Sequence, residues 1–295
     1  MTEPEFCARI IKMALSRKKI KFNDILFTWH KKNYRDMPWR ETSDPYKILI
    51  SEIMLQQTQV ERVRVKYVEF LKKFPNVRTL AQASLGEVLS VWSGLGYNRR
   101  AKYLHECAKN IVVEYGGKFP NDFEKLKKLP GIGISTAGAL LAFSFGQETP
   151  MIDTNIRRIL TRTFFNLEAQ LPSDKALYAF AQTLIPKGKG RVWNYAMLDL
   201  GALCCTARNH SQECPLMKLH GKVGDFVYKK PQKKFKDSRR FYRGQILKLL
   251  TEKKTTTLVY VRSVLKLEHE LVDNIVDDLL QEALLAKKGK KLTLP

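Results

Sequence analysis

Residues 129–143, "LPGIGISTAGALLAF", constrain the fold more than any other stretch of the chain. Pro130 cannot continue a helix, and Gly131 and Gly133 permit a tight turn. Ser135, Thr136 and Ala137 then open a helix of small residues. The pattern predicts two helices joined by a hairpin, with bare backbone N–H groups at the start of the second. Such a helix start is a natural seat for a phosphate. A pair of close glycines is weak evidence alone. With leucine-proline before it and a small-residue helix after it, the segment has the form of a helix-hairpin-helix element.

The surroundings agree with a helical body. Strand signals are scarce before residue 215, and apolar residues recur instead at helical spacing between short Gly/Pro breaks. Helices are expected over 20–33, over 46–74 as one or two, over 84–96, over 98–116, and on both sides of the hairpin in 121–146. Three more follow, at "TNIRRILTRTFF", "SDKALYAFAQTLI" and "GRVWNYAMLDLGALCC". Beyond residue 220 the composition turns basic, with Gly and Pro and little apolar periodicity. Residues 221–238 read as a basic linker after a body spanning 1–220. Residues 239–295 read as helix, short segment or helix, helix, then a short β-like tail. That order matches a small winged-helix arrangement, with a plain helical cap as the other reading.

Charge narrows the partner. Fifty-two Lys and Arg against 29 Asp and Glu give a net charge of +23, which points to a polyanion, nucleic acid ahead of membrane phosphates. No apolar run approaches the roughly 18–20 residues needed to span a bilayer. The N-terminus lacks the order of a secretory signal. Five irregularly spaced cysteines fit a reduced cytoplasmic setting better than a disulfide framework.

Two stretches carry candidate chemistry. "SEIMLQQTQV" (51–60) looks bound for an interior, yet holds Glu52, Gln56, Gln57 and Gln59, groups costly to bury without partners. A ligand that supplies those partners resolves the conflict. In "PMIDTNIRRIL", Asp153 precedes a helix and by itself reads as an N-cap.

Together, "PYKILISEIMLQQTQV", "WSGLGYNRRAKYLH", "LPGIGISTAGALL", "PMIDTNIRRIL" and "WNYAMLDLGALCCT" resemble, in order and spacing, the helix-hairpin-helix DNA glycosylases, and among them the adenine DNA glycosylases of the MutY type. The resemblance covers roughly residues 20 to 220. It implies an all-α, two-subdomain fold with the extruded base in a cleft, here followed by the winged-helix-like module. It implies that Glu52 protonates adenine N7, and that Asp153 stabilises the positive charge growing on the sugar and takes part in displacement by water. That division of labour is shared with sugar hydrolases. An apolar setting that raises the pKa of Glu52 would suit an acid. Gln57 is expected to fill the gap in the stack and Tyr97 to act as a wedge beside the opposing base. Arg40, Leu55, Gln56, Gly131, Gly133, Thr136, Asn155 and Tyr195 complete the expected DNA-contacting set. Relatives that also cut the strand carry a lysine where this chain has Ser135, whose hydroxyl cannot form a Schiff base. A monofunctional enzyme that leaves an abasic site is therefore expected.

The chain departs from the family in three places. Members usually hold a four-iron, four-sulfur cluster with four cysteines, at spacing C-x6-C-x2-C-x5-C. In "CCTARNHSQECPLMKLH" only Cys205 and Cys214 match, His220 takes the fourth position, and the stretch lacks four thiolates. No cofactor is expected; a Cys/His metal site from Cys205, His210, Cys214 and His220 is the less favoured reading. The C-terminal stretch is too short for the family's Nudix-like domain. Tyr195 stands where many members place Gln or Glu. The expected substrate is double-stranded DNA with adenine opposite 8-oxoguanine or guanine, bound by a monomer in the cytoplasm. The alternatives are a thymine or uracil mismatch glycosylase, an endonuclease III-like pyrimidine glycosylase, and a non-enzymatic DNA-binding protein.

Overall fold

The computed structural model describes residues 3–165, 172–207, 212–220 and 235–295, with side chains from residue 15 onward. The chain forms two compact units. One holds the described residues of Met1–Ser43 and Gly133–Lys230, the other those of Asp44–Ile132 and Pro231–Pro295. Most of the linker stretch, 221–234, lies outside the described residues.

The first unit contains α1 (Glu3–Asn33), α8 (Ile134–Ser144), α9 (Thr154–Phe164), α10 (Asp174–Gln182) and α11 (Gly190–Leu203). Its core gathers Phe22, Leu26, Ile159, Leu160 and Trp193, each buried from water. Trp193 keeps its indole N–H satisfied by donating to Asn23 Oδ1 at 3.1 Å. α1 begins far upstream of the expected start at residue 20.

The second unit begins with α2 (Pro45–Leu55), α3 (Val60–Lys73), α4 (Val77–Gln82), α5 (Leu85–Trp92), α6 (Arg99–Tyr115) and α7 (Phe123–Lys128). Local chemistry sets these boundaries. Asp44 caps α2 by accepting the Tyr46 N–H, and Pro45 opens its first turn. Ser84 and Glu87 form a reciprocal capping box at α5. Helix α6 stops at Gly116 in the left-handed region. The six-residue α4, capped by Asn76, was not foreseen in the sequence because it is too short to show periodicity. The expected 46–74 segment resolves into two helices, broken at Gln56–Gln59.

The same unit continues with α12 (Arg239–Lys253), β1 (Thr255–Thr257), α13 (Leu258–Leu265), α14 (His269–Gln281), β2 (Ala286–Lys288) and β3 (Lys291–Thr293). The strands form an antiparallel sheet in the order β1-β3-β2, with Thr256 opposite Leu292 and Lys287 opposite Leu292. Helix, strand, two helices and a β-hairpin wing give the winged-helix topology read from the sequence. The module is tied to the helices before it: Lys102 donates to the Glu282 carbonyl at 2.7 Å and the Gly86 N–H donates to the Pro295 carbonyl at 2.9 Å. Among the described residues, no helix is long and apolar enough to cross a membrane.

Candidate active site and nucleic-acid interface

Glu52 sits half-buried on α2, with buried Ser51 and Ile53 on either side of it in sequence. Three residues later the helix ends, and the glutamines that follow face outward: Gln56 and Gln57 are both exposed. Gln57 adopts φ +56° and Tyr97 φ +48°, the left-handed region that a side chain enters only when its surroundings hold it there.

What holds them is Arg100. Its Nη1 donates to the carbonyls of Ile53, Met54 and Gln56 at 2.9, 2.9 and 2.5 Å. Its Nη2 donates to Thr58 Oγ1 at 3.0 Å and to the carbonyls of Leu95 and Gly96 at 3.2 and 3.0 Å. One guanidinium thus satisfies carbonyls at the C-terminal end of α2 and clamps the glutamine loop to the "GLGY" turn. A cation is also the favourable charge at that end of a helix. Burial pulls the pKa of Arg100 down to about 10, with the nearby Tyr97 hydroxyl opposing, so the group stays charged at neutral pH.

Gln57 and Tyr97 line a cavity of about 520 Å³ in this unit, together with Arg99, Arg100 and Tyr103 and, from the C-terminal module, Arg240 and Arg243. Arg240 Nη1 donates to the Tyr97 hydroxyl. The guanidinium carbons of Arg100 and Arg240 lie 5.4 and 5.5 Å from the Tyr97 ring centroid. Gly131, with φ +76°, closes one side, where an added Cβ would stand 2.9 Å from that of Tyr103. A second cavity of about 670 Å³ shares Gln57, Tyr97, Asn98 and Arg240 as walls.

In the first unit, α8 starts at Gly133 with no side chain capping its first N–H groups. Ser135 is half-buried in that first turn and Thr136 is buried. Asp153 is the N-cap of α9: one carboxylate oxygen accepts the Ile156 N–H at 2.8 Å and the other accepts from Asn155 Nδ2 at 3.1 Å. Arg158 extends the chain, donating to Asn155 Oδ1 at 2.7 Å and to the carbonyls of Gly201 and Cys205 at 2.8 and 2.5 Å. Gly201 makes room for this arrangement, since a Cβ there would lie 2.5 Å from that of Asn155. Loss of water raises the pKa of Asp153, against the opposing pull of the Ile156 N–H, Arg158 and Asn155.

Arg40 and Tyr195, two further expected contacts, lie around a different centre. Arg40 forms a bidentate pair with Asp199, both bonds 2.8 Å, and Asp199 is fully buried. His30 Nε2 meets the same carboxylate at 3.2 Å. Burial would raise the Asp199 pKa, but His30, Arg40 and the Arg35 N–H together hold it below the usual range. Tyr195 stacks on Phe143 with centroids 4.2 Å apart, and the Arg40 guanidinium lies 4.5 Å from its ring. A third cavity, of about 520 Å³, opens beside Tyr34, Arg40, Arg191 and Tyr195.

Cys205 and Cys214 are both buried, and Arg162 Nη1 donates to Cys205 Sγ at 3.3 Å. Arg162 also donates to the carbonyls of Thr206 and Ala207 at 2.7 and 3.3 Å. The donors present do not fit a four-thiolate cluster, because the stretch holds three cysteines, Cys204, Cys205 and Cys214. His210 lies outside the described residues, and no group of three or more His, Cys, Asp or Glu that could hold a metal exists among the described ones.

Arg100, Arg158, Asp199 and Arg240 were not singled out by the sequence reading. Three carried a signal of one kind, a charge at a position that helical spacing places among buried residues. Asp199 is one turn beyond Tyr195 on α11, and Arg100 shares a face with Leu104 on α6. For Arg240 the signal was only the basic composition of the stretch that holds it.

These elements define a class: a helical protein with a glycine hairpin, a carboxylate on a half-buried helix and another capping a helix start. The chain belongs to the HhH-GPD superfamily of base excision DNA repair proteins, whose family model matches residues 50–187. It is 40% identical over 197 residues to the adenine DNA glycosylase of Buchnera aphidicola subsp. Baizongia pistaciae, covering 66% of this chain and 56% of that one. With the adenine DNA glycosylase of Mycolicibacterium smegmatis the identity is 36% over 236 residues, 78% of this chain and 80% of the relative. A solved thermostable thymine-DNA glycosylase superposes with a TM-score of 0.66 at 33% identity, over 70% of this chain and 97% of that one. The chain spans little more than half the length of the first of these relatives.

Proposed function

We propose that this protein is a monofunctional DNA glycosylase that hydrolyses the bond between deoxyribose and a mispaired adenine, opposite 8-oxoguanine or guanine, and leaves an abasic site. The observation that carries the reading is the environment of Asp153, half-buried at the head of α9 and partnered by the Ile156 N–H and Asn155. A carboxylate held so is ready to stabilise a cationic sugar with little reorganisation. The relatives named adenine DNA glycosylase supply the substrate class.

In this mechanism Glu52 donates its proton to adenine N7, and the C1′–N9 bond breaks with its electrons going to the departing base. Asp153 stabilises the positive charge at C1′ while water attacks there and passes its proton to the Glu52 carboxylate, which restores the acid. Ser135, unlike an amine, forms no imine with C1′, so the strand is left uncut. The open helix start at Gly133 takes a backbone phosphate, and Gln57 and Tyr97 fill the space left by the extruded base. Extrusion costs on the order of a few kcal/mol, which such fillers offset. Each of these steps is assigned to the chain's own residues, and Arg158 and Arg162 hold the segment after α11 through its carbonyls. The protein works as a monomer on duplex DNA in the cytoplasm.

The likeness to a thymine-DNA glycosylase favours one second reading, removal of thymine or uracil opposite guanine. Duplexes carrying A opposite 8-oxoguanine, A opposite G, and T or U opposite G separate the two. Release of adenine supports the first reading; release of pyrimidine alone moves the function to the second.

A further inference from the structure

The cavity beside Tyr97 is built partly from the C-terminal module. Arg239 and Arg243 of α12 turn toward α14: Arg239 pairs with Asp278 at 2.7 Å and Arg243 with Glu282 at 2.5 Å. Arg240, one residue after Arg239, instead meets the Tyr97 hydroxyl and lines the cavity with Gln57. Two tyrosines, several guanidiniums and a single carboxylate, Glu282, therefore face one space. Aromatic faces suit a planar ring better than a phosphate. A guanidinium donates to O6 of guanine and of its 8-oxo derivative, with N7 as a second acceptor in guanine only, and a carboxylate accepts from ring N–H groups, the N7–H of the 8-oxo form among them.

We propose that Arg240 is a specificity-determining residue that reads the base left in the strand opposite the abasic nucleotide, and that this base is a guanine or its 8-oxo derivative. The winged-helix module thereby supplies opposite-base recognition to the glutamine loop and Tyr97. The inference rests on the glycosylase reading only for the choice of duplex, because its test is binding and needs no base release.

The experiment measures equilibrium affinity of the full chain for duplexes in which a non-cleavable abasic analogue faces 8-oxoguanine, guanine, cytosine or thymine. The wild type is expected to bind the two guanine-type duplexes about tenfold or more tighter than the pyrimidine ones, the range of one good base contact. Arg240→Ala and Arg240→Lys should each shrink that ratio at least fivefold; the lysine variant keeps the charge and loses the fork. A thermal melt of each variant shows whether it is folded. A wild type without preference, or an equal loss of affinity on every duplex, overturns the inference. Restoration of the ratio by lysine also overturns it, because Arg240 would then only position Tyr97. Failure of adenine release with the binding ratio intact would sink the glycosylase reading and leave this one standing.

Discussion

At the scale of single residues, Asp153 and Arg100 do different work, and each gives its own test. Asp153→Asn keeps an N-cap at α9, since asparagine caps as well as aspartate. Base release should fall on the order of 100-fold or more, the size typical of removing a charge aimed at a transition state. The folded protein raises the pKa of Asp153, so the native state binds its proton more tightly than the unfolded chain does. Its contribution to stability is therefore full at low pH and lost as pH rises through the folded pKa. The asparagine variant should accordingly melt no lower than the wild type at neutral pH, with its relative advantage shrinking as pH falls toward the ordinary Asp value. A variant that melts lower at neutral pH would contradict this account of the site. Arg100→Ala strips partners from carbonyls in α2, the glutamine loop and the "GLGY" turn. A loss of about 2–4 kcal/mol is expected from denaturant unfolding, by analogy with buried groups left unpaired. A change below about 0.5 kcal/mol would mean that the two strained residues, Gln57 and Tyr97, are held by something else.

At the scale of elements, the wing is the clearest surface feature. Lys287, Lys288, Lys290 and Lys291 lie on or beside β2 and β3 and are all exposed. If the wing follows a phosphate backbone, changing all four to Gln should weaken duplex binding and flatten its salt dependence, by roughly 0.9 in log–log slope for each phosphate that is no longer neutralised. An unchanged slope would assign the wing to stability alone. Point substitution is a cleaner test than truncation, because the module belongs to the same compact unit as residues 44–132 and its removal would uncover that unit's surface. Most elements were legible in the sequence because helical periodicity and Gly/Pro breaks are local. The wing was legible too, from a β-like tail after three helical stretches. What could not be read were interactions set by tertiary packing. Arg100 capping a helix that ends some 45 residues before it, and Arg240 reaching Tyr97, depend on the return of the chain to its own earlier helices.

For the molecule as a whole, two carboxylates were visible from motif and resemblance, and the structure adds how each is set: Glu52 half-buried on α2, Asp153 at the head of α9. It also shows Arg158 and Arg162 bonded to the backbone after α11, and Arg162 to the sulfur of Cys205. The central claim is hydrolytic adenine removal without strand cleavage. Single-turnover reaction of the full chain with a duplex carrying adenine opposite 8-oxoguanine, read with and without alkali, tests it most directly. The account predicts free adenine, a strand that breaks only after alkali, and no covalent adduct on borohydride treatment. Strand breakage without alkali, a trapped adduct, or no adenine released would contradict it.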